Sequence, residues 1–122
     1  MATVRYLVHD VDAVLPFYGA LGFTLVRRWG PPFAQVGRDD LQLWLSGPGA
    51  SAARPLGDGR QPGPGGWNRI VVQVDDLGAT LARLGAMGVD VTGAIVTGPG
   101  GRQILVHDPS GNPLELFEAA AG

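Results

Sequence analysis

The chain repeats itself. Displaced by 66 positions, Val8-His9-Asp10-Val11 falls on Val74-Asp75-Asp76-Leu77, Leu15 on Leu81, and Gly19-Ala20-Leu21-Gly22-Phe23 on Gly85-Ala86-Met87-Gly88-Val89. Displaced by 71, Leu43-Trp44-Leu45 falls on Leu114-Glu115-Leu116. A sequence of 122 residues with this self-similarity has to build one unit twice, about 1–46 and 67–118, within a single domain of 1–122. The segment between them has a composition of its own, with seven Gly and four Pro in the twenty-one residues from Ser46 to Gly66. Its flanks are rich in Val, Leu and Ile, so the Gly and Pro mark a mobile linker, 46–66, inside a folded domain.

Each copy reads β-α-β-β-β. A strand that alternates with period two (Thr3–His9; Arg69–Asp75) leads to a helix of about ten residues, capped by Asp12 or Asp76 and stopped at Gly22 or Gly88. Pro16 is placed in the first helical turn, where a missing N–H costs little. Three strands follow in each copy: Phe23–Trp29, Phe33–Gly37 and Leu41–Ser46, then Val89–Thr97, Arg102–His107 and Leu114–Glu118. Gly98-Pro99-Gly100-Gly101 lies between two strands and reads as a hairpin turn, with phosphate cradling as the alternative. The fold class is α+β: two tandem βαβββ modules whose mixed sheets curl around a cleft, with the helices on the outer face.

Strand parity separates the two faces of these sheets. Val4, Tyr6, Val8, Leu41, Leu43 and Leu45, with Ile70, Val72, Val74, Ile104, Val106, Leu114 and Leu116, form an apolar layer suited to lie under the helices. The other face carries Thr3, Arg5, Leu7, His9, Gln42, Trp44 and Ser46 in the first copy. In the second it carries Arg69, Val71, Gln73, Gln103, Leu105, His107, Glu115 and Phe117. That layer mixes charge, amide, imidazole and aromatic groups, and is the place to look for a ligand.

Composition excludes several classes of function. A formal charge of −2 and nine scattered Arg, with no Lys, provide no basic stripe for nucleic acid. Without Cys there are no disulfides, thiol nucleophiles or thiolate zinc sites. Arg5, His9 and Asp10 interrupt the N-terminal segment, which lacks the apolar core of a signal peptide, and no apolar run is long enough to span a membrane. The expectation is a cytoplasmic protein. There is no G-x-S-x-G, no P-loop lysine, no H-E-x-x-H and no dinucleotide fingerprint.

The doubled β-α-β-β-β unit, the D-V-D…F-Y-x-x-L-G-F segment from Asp10 to Phe23, and the D-P-S-G-N-P-L-E-L run from Asp108 to Leu116 resemble the vicinal oxygen chelate superfamily. That superfamily includes glyoxalase I, extradiol dioxygenases, fosfomycin resistance enzymes and bleomycin-binding resistance proteins. Its metal-dependent members hold a divalent ion with a His in the first strand of each copy and a Glu in the last strand. Carried over, those positions are Thr3, Arg69 and Glu115, with Trp44 as the first-copy equivalent of Glu115. Only Glu115 is a usual ligand, and a guanidinium at Arg69 puts a fixed positive charge where a cation would sit. The resemblance therefore implies the metal-free, drug-binding branch: no metal, no cofactor, a small aromatic ligand, and a homodimer with two equivalent clefts. The rival is a glyoxalase-type lyase or isomerase, thiol transferase or dioxygenase. Its metal would sit on Glu115 with one or both of His9 and His107, the only two histidines.

Candidate binding residues follow from these two readings. Trp29, Phe33, Trp44, Trp67 and Phe117 lie on cleft-facing strands or beside the cleft mouth, where rings offer contact area to a flat ligand. Trp67 follows a Gly-rich hinge and could close over the cleft. Arg69 and Glu115 are expected to form a bidentate ion pair in place of a metal. Thr3, Arg5, His9, Gln103 and His107 complete the set, the histidines standing at strand ends.

Overall fold

The computed structural model describes residues 2–121. They form two compact units, which divide at Gly65/Gly66. In the first, β1 (Ala2–Leu7) leads to α1 (Val11–Ala20), then β2 (Thr24–Trp29), β3 (Phe33–Arg38) and β4 (Leu41–Ser46). In the second, β5 (Ile70–Gln73) leads to α2 (Leu77–Ala86), then β6 (Val96–Gly98), β7 (Gly101–His107) and β8 (Pro113–Ala119). Each unit is a four-stranded mixed sheet with one helix, in the orders β1-β4-β3-β2 and β5-β8-β7-β6.

The parallel pairs show why two offsets appear in the sequence. Thr3 lies opposite Gln42 and Arg5 opposite Trp44, 39 positions apart, whereas Ile70 lies opposite Leu114 and Val71 opposite Glu115, 44 apart. The difference of five is the difference between offsets 66 and 71. Trp44 and Glu115 are thus equivalent by register as well as by pattern.

Burial follows parity. Leu43, Leu45, Ala34 and Val36 are buried together with Val11, Val14, Phe17 and Tyr18 of α1. Tyr18 meets Phe17 and Phe23 edge-on at 5.2 and 5.6 Å. In the second unit Val72, Ile104, Val106, Leu114 and Leu116 are buried with Leu77 and Leu84 of α2. Full burial of one such aliphatic side chain contributes about 1.5–3 kcal/mol.

Three local expectations are corrected. The cap of α1 is Asp10, not Asp12: Asp10 has extended backbone and its Oδ1 accepts from the amides of Asp12 and Ala13 at 2.9 and 3.4 Å. Asp12 lies inside the first turn and pairs with Arg28 at 2.8 Å. Because the helix begins at Val11, Pro16 stands inside it rather than in its first turn. The strand expected over Val89–Thr97 shrinks to Val96–Gly98. Asp90 Oδ1 accepts from the Thr92 amide at 2.9 Å and the Thr92 hydroxyl at 2.6 Å, an Asx turn that diverts the backbone from the ladder.

Other turns follow their residues. Asp76 caps α2 through the Ala79 amide at 2.9 Å. Gly22 and Gly88 end the two helices at φ 88° and 87°, a region costly for any residue with a Cβ. The buried Asp108 opens the D-P-S-G-N-P run, its Oδ1 accepting from the amides of Ser110 and Asn112 at 2.8 and 3.0 Å. That motif builds the β7–β8 turn. Gly98–Gly101 forms the β6–β7 hairpin, as its sequence suggests. The linker holds a 3-10 turn at Ser51–Ala53 and local hydrogen bonds from the amides of Leu56 and Gly59. Among the described residues no helix is long and apolar enough to cross a membrane.

Candidate functional site

Two neighbouring ladder rows of the first sheet share the face away from α1. One runs Arg5, Trp44, Gln35, Arg27 across β1, β4, β3 and β2; the next runs Leu7, Ser46, Phe33, Trp29. Placing large rings in adjacent rows brings them into contact. Trp29 stacks on Phe33 at 5.6 Å with 27° between planes, and Phe33 meets Trp44 edge-on at 6.0 Å. The Arg5 guanidinium lies over the Trp44 ring at 5.0 Å, and that of Arg27 over Trp29 at 5.1 Å. Arg5 also donates from Nη1 to the buried Ser46 hydroxyl at 3.1 Å.

Arg5, Trp29, Phe33, Gln35 and Trp44 line a cleft of about 530 Å³ together with Pro32, Ala50 and Ser51. The volume lies within the range of small-molecule sites. Its rim is held by hydrogen bonds. Arg28 donates from Nε to the Gly30 carbonyl at 2.7 Å and from Nη2 to the Pro31 carbonyl at 3.3 Å, while Nη1 meets Asp12. The Gly47 amide donates to the Pro32 carbonyl at 2.8 Å, tying the start of the linker to the β2–β3 turn. Trp29 is 57% exposed, so one ring of the cleft faces water.

The structure thus brings Arg5, Trp29, Phe33 and Trp44 of the expected set together. Thr3 is exposed one step along β1. His9 lies in a separate recess with Pro48, Gln61 and Pro62. On the second sheet, Gln103 and Phe117 stand opposite one another. Trp67 is 83% exposed within its own unit. His107 borders a recess of about 310 Å³ with Asp90 and Thr92. There the hydroxyl and amide of Thr92 hold the Asp90 carboxyl below its ordinary range, with a smaller contribution from His107. The cleft also contains residues the sequence reading passed over. Gln35 was available from strand parity, since it follows Phe33 by two; Pro32, Ala50 and Ser51 come from turns and carry no such signal.

Arg69 and Glu115 do pair, but not fork to fork. Nε and Nη2 of Arg69 both donate to a single oxygen, Oε1 of Glu115, at 3.2 and 3.1 Å. The pair decides how the family's metal positions fit a divalent ion. Thr3 and Trp44 offer no strong donor, Arg69 brings a positive charge, and the one carboxylate is already engaged. Those residues do not fit a metal. Among the described residues no group of three or more His, Asp or Glu side chains lies close enough to hold one.

Fold and sequence together place the chain in a family. Residues 1–116 match the model of the Glyoxalase/Bleomycin resistance protein/Dioxygenase superfamily, and the chain belongs to it. Among solved structures, TnmS3, an antibiotic-binding protein from Streptomyces sp. CB03234, is 28% identical, with a TM-score of 0.72 over 97% of this chain and 93% of that one. A bleomycin resistance determinant encoded on the transposon Tn5 is 25% identical, with a TM-score of 0.68 over 99% and 98%. Lactoylglutathione lyase from Agrobacterium tumefaciens shares the fold at 21% identity, with a TM-score of 0.73 over 97% and 92%. No curated protein sequence matches the chain.

Proposed function

We propose that the protein binds and sequesters a planar aromatic small molecule, an antibiotic or related natural product, without a metal and without chemical change to the ligand. The observation that carries this reading is the Trp29–Phe33–Trp44 cluster on the open face of the first sheet. Rings in offset and edge-on contact are rigid, offer flat apolar area at low entropic cost, and lack the acid–base pair that proton chemistry needs. The likeness to antibiotic-binding and bleomycin-resistance structures supports it. The Arg69–Glu115 pair weighs against the rival metal-dependent enzyme, because the carboxylate that would ligate is held by a fixed cation.

Trp67, Phe117, Gln103, Thr3, His9 and His107 enter this proposal only as candidates for a larger binding surface. We place the protein in the cytoplasm as a homodimer. The dimer is supported by β1 and β2, and β5 and β6, each standing at an edge of its own sheet. It is supported too by exposed Leu25, Val26, Val71 and Val96. Light scattering at micromolar concentration is expected to give twice the chain mass; a stable monomer would remove the dimer.

The binding role is tested by titrating tricyclic aromatic compounds while following tryptophan fluorescence, then recovering the ligand for mass spectrometry. Saturable quenching with the ligand recovered intact is expected. Conversion of the ligand that depends on added divalent metal would overturn the reading.

A further inference from the structure

The nine arginines are not used alike. Arg28, Arg38, Arg60, Arg69 and Arg102 each face a carboxylate within 3.5 Å. Among the described residues the other four, Arg5, Arg27, Arg54 and Arg83, have no such partner, and two of these lie over the two tryptophans of the cleft. No Asp or Glu lines it. A chain with a formal charge of −2 therefore sets two cations without a carboxylate partner against the tryptophans of this site, Arg5 in the cleft lining and Arg27 over the Trp29 ring. A second observation points the same way. Trp44 Nε1 is withdrawn from water and has no acceptor. A buried donor left without a partner destabilises the free protein, and an acceptor arriving from outside need not strip water from it.

We infer that the ligand of this cleft is an aromatic anion, with a carboxylate, sulfonate or phenolate oxygen that seats against Arg5 and Arg27 and accepts the Trp44 indole N–H. This rests on the aromatic-binding reading above and adds the charge of the ligand to it. Arg5 covers the Trp44 ring and holds Ser46 with one terminal nitrogen only. Its remaining donors are free to turn onto a ligand oxygen beside the ring. A guanidinium keeps its charge at any pH the protein meets, so the preference does not titrate on the protein side.

Three tricyclic probes of one shape separate the contributions: anthracene-2-carboxylate, 2-(hydroxymethyl)anthracene and 2-(aminomethyl)anthracene, titrated against the full chain at pH 7 in low and high salt. The anion is expected to bind about tenfold or more tighter than the neutral alcohol, the scale of a charge-assisted hydrogen bond, with the cation weakest. Added salt narrows the gap. In the Arg5→Gln/Arg27→Gln double variant the ratio of anion to alcohol affinity falls to about one whatever the alcohol's own affinity becomes, Arg5→Lys retains most of the preference, and Trp44→Phe keeps the ring but weakens the anion several-fold. Circular dichroism melts establish that each variant is folded. Equal affinity for the three probes overturns the inference and leaves the aromatic cleft standing. A preference that survives in the double variant overturns it too, and failure of all three to bind removes the aromatic reading and this inference together.

Discussion

Arg69 sets Nε and Nη2 on the same oxygen of Glu115, so the carboxylate at the family's metal-ligand position is neutralised by the residue just ahead of the adjoining strand β5. Glu115 is 13% exposed and Arg69 35%, so the pair is partly screened by water. Glu115→Gln is expected to cost about 1 kcal/mol or less on that ground. Elemental analysis of protein purified without chelator or an affinity-tag metal should give well under one divalent ion per chain. A stoichiometric ion that survives dialysis and disappears in Glu115→Gln would show that the pair opens for metal.

Trp44 is half-buried at the centre of the cleft, with an edge-on contact to Phe33 and a cation over its face. Trp44→Ala should weaken a planar aromatic ligand roughly tenfold, from lost area plus about 0.5–1.5 kcal/mol of ring geometry. Its cost to folding should fall below the about 3–5 kcal/mol of a fully buried tryptophan. Paired melting and quenching measurements separate the two roles. A large fall in melting temperature with affinity unchanged in the folded fraction would make Trp44 a core residue only.

The two aspartates at the head of α1 are predicted to differ. Asp10→Ala removes the side chain that accepts the first free amides and should cost about 1 kcal/mol. Asp12→Ala removes only an exposed pair with Arg28 and should cost a few tenths, about the lower range for surface ion pairs. Urea denaturation of both variants checks the order, and a larger loss for Asp12→Ala would return the cap to that residue.

Glu118 links β8 to the start of α2: its Oε2 accepts from the Leu77 amide at 2.7 Å and its Oε1 from Arg102 at 3.1 Å. The Leu77 amide first, and Arg102 after it, hold its carboxyl below the ordinary value of 4.5. A carboxyl lowered by folding adds stability that is complete above the unfolded value and is lost as pH falls through the folded one. Glu118→Gln should therefore melt below the parent at pH 7, with the gap closing below about pH 4. An equal gap at pH 7 and pH 3 would show that packing, not charge, accounts for it.

Much of this molecule is legible before any coordinates. The two offsets in the self-comparison correspond to two strand registers, because a repeat with period-two strands admits only pairings that keep Leu43 and Leu114 on the apolar side. The same offset places Asp10 on Asp76 and so contains the correct cap. Within D-V-D alone either carboxylate could cap, and only the repeat distinguishes Asp10 from Asp12.

What the sequence alone determined is which residues face which way: helix stops at glycine, strand alternation, and the polar and aromatic face with Arg5, Phe33 and Trp44 in it. Periodicity is a local property of the backbone, and hydrophobic contrast reveals it. Tertiary structure decided the partners. Two donors of Arg69 meet one oxygen of Glu115 across 46 positions, Arg28 folds back on Gly30 and Asp12, and Ala50 reaches the cleft from a linker. Such contacts depend on turn geometry and on competition among many possible donors and acceptors, neither of which has a period. Val89–Ile95 shows the same limit, since its apolar residues promise a strand and a single Asx turn at Asp90 takes the backbone elsewhere.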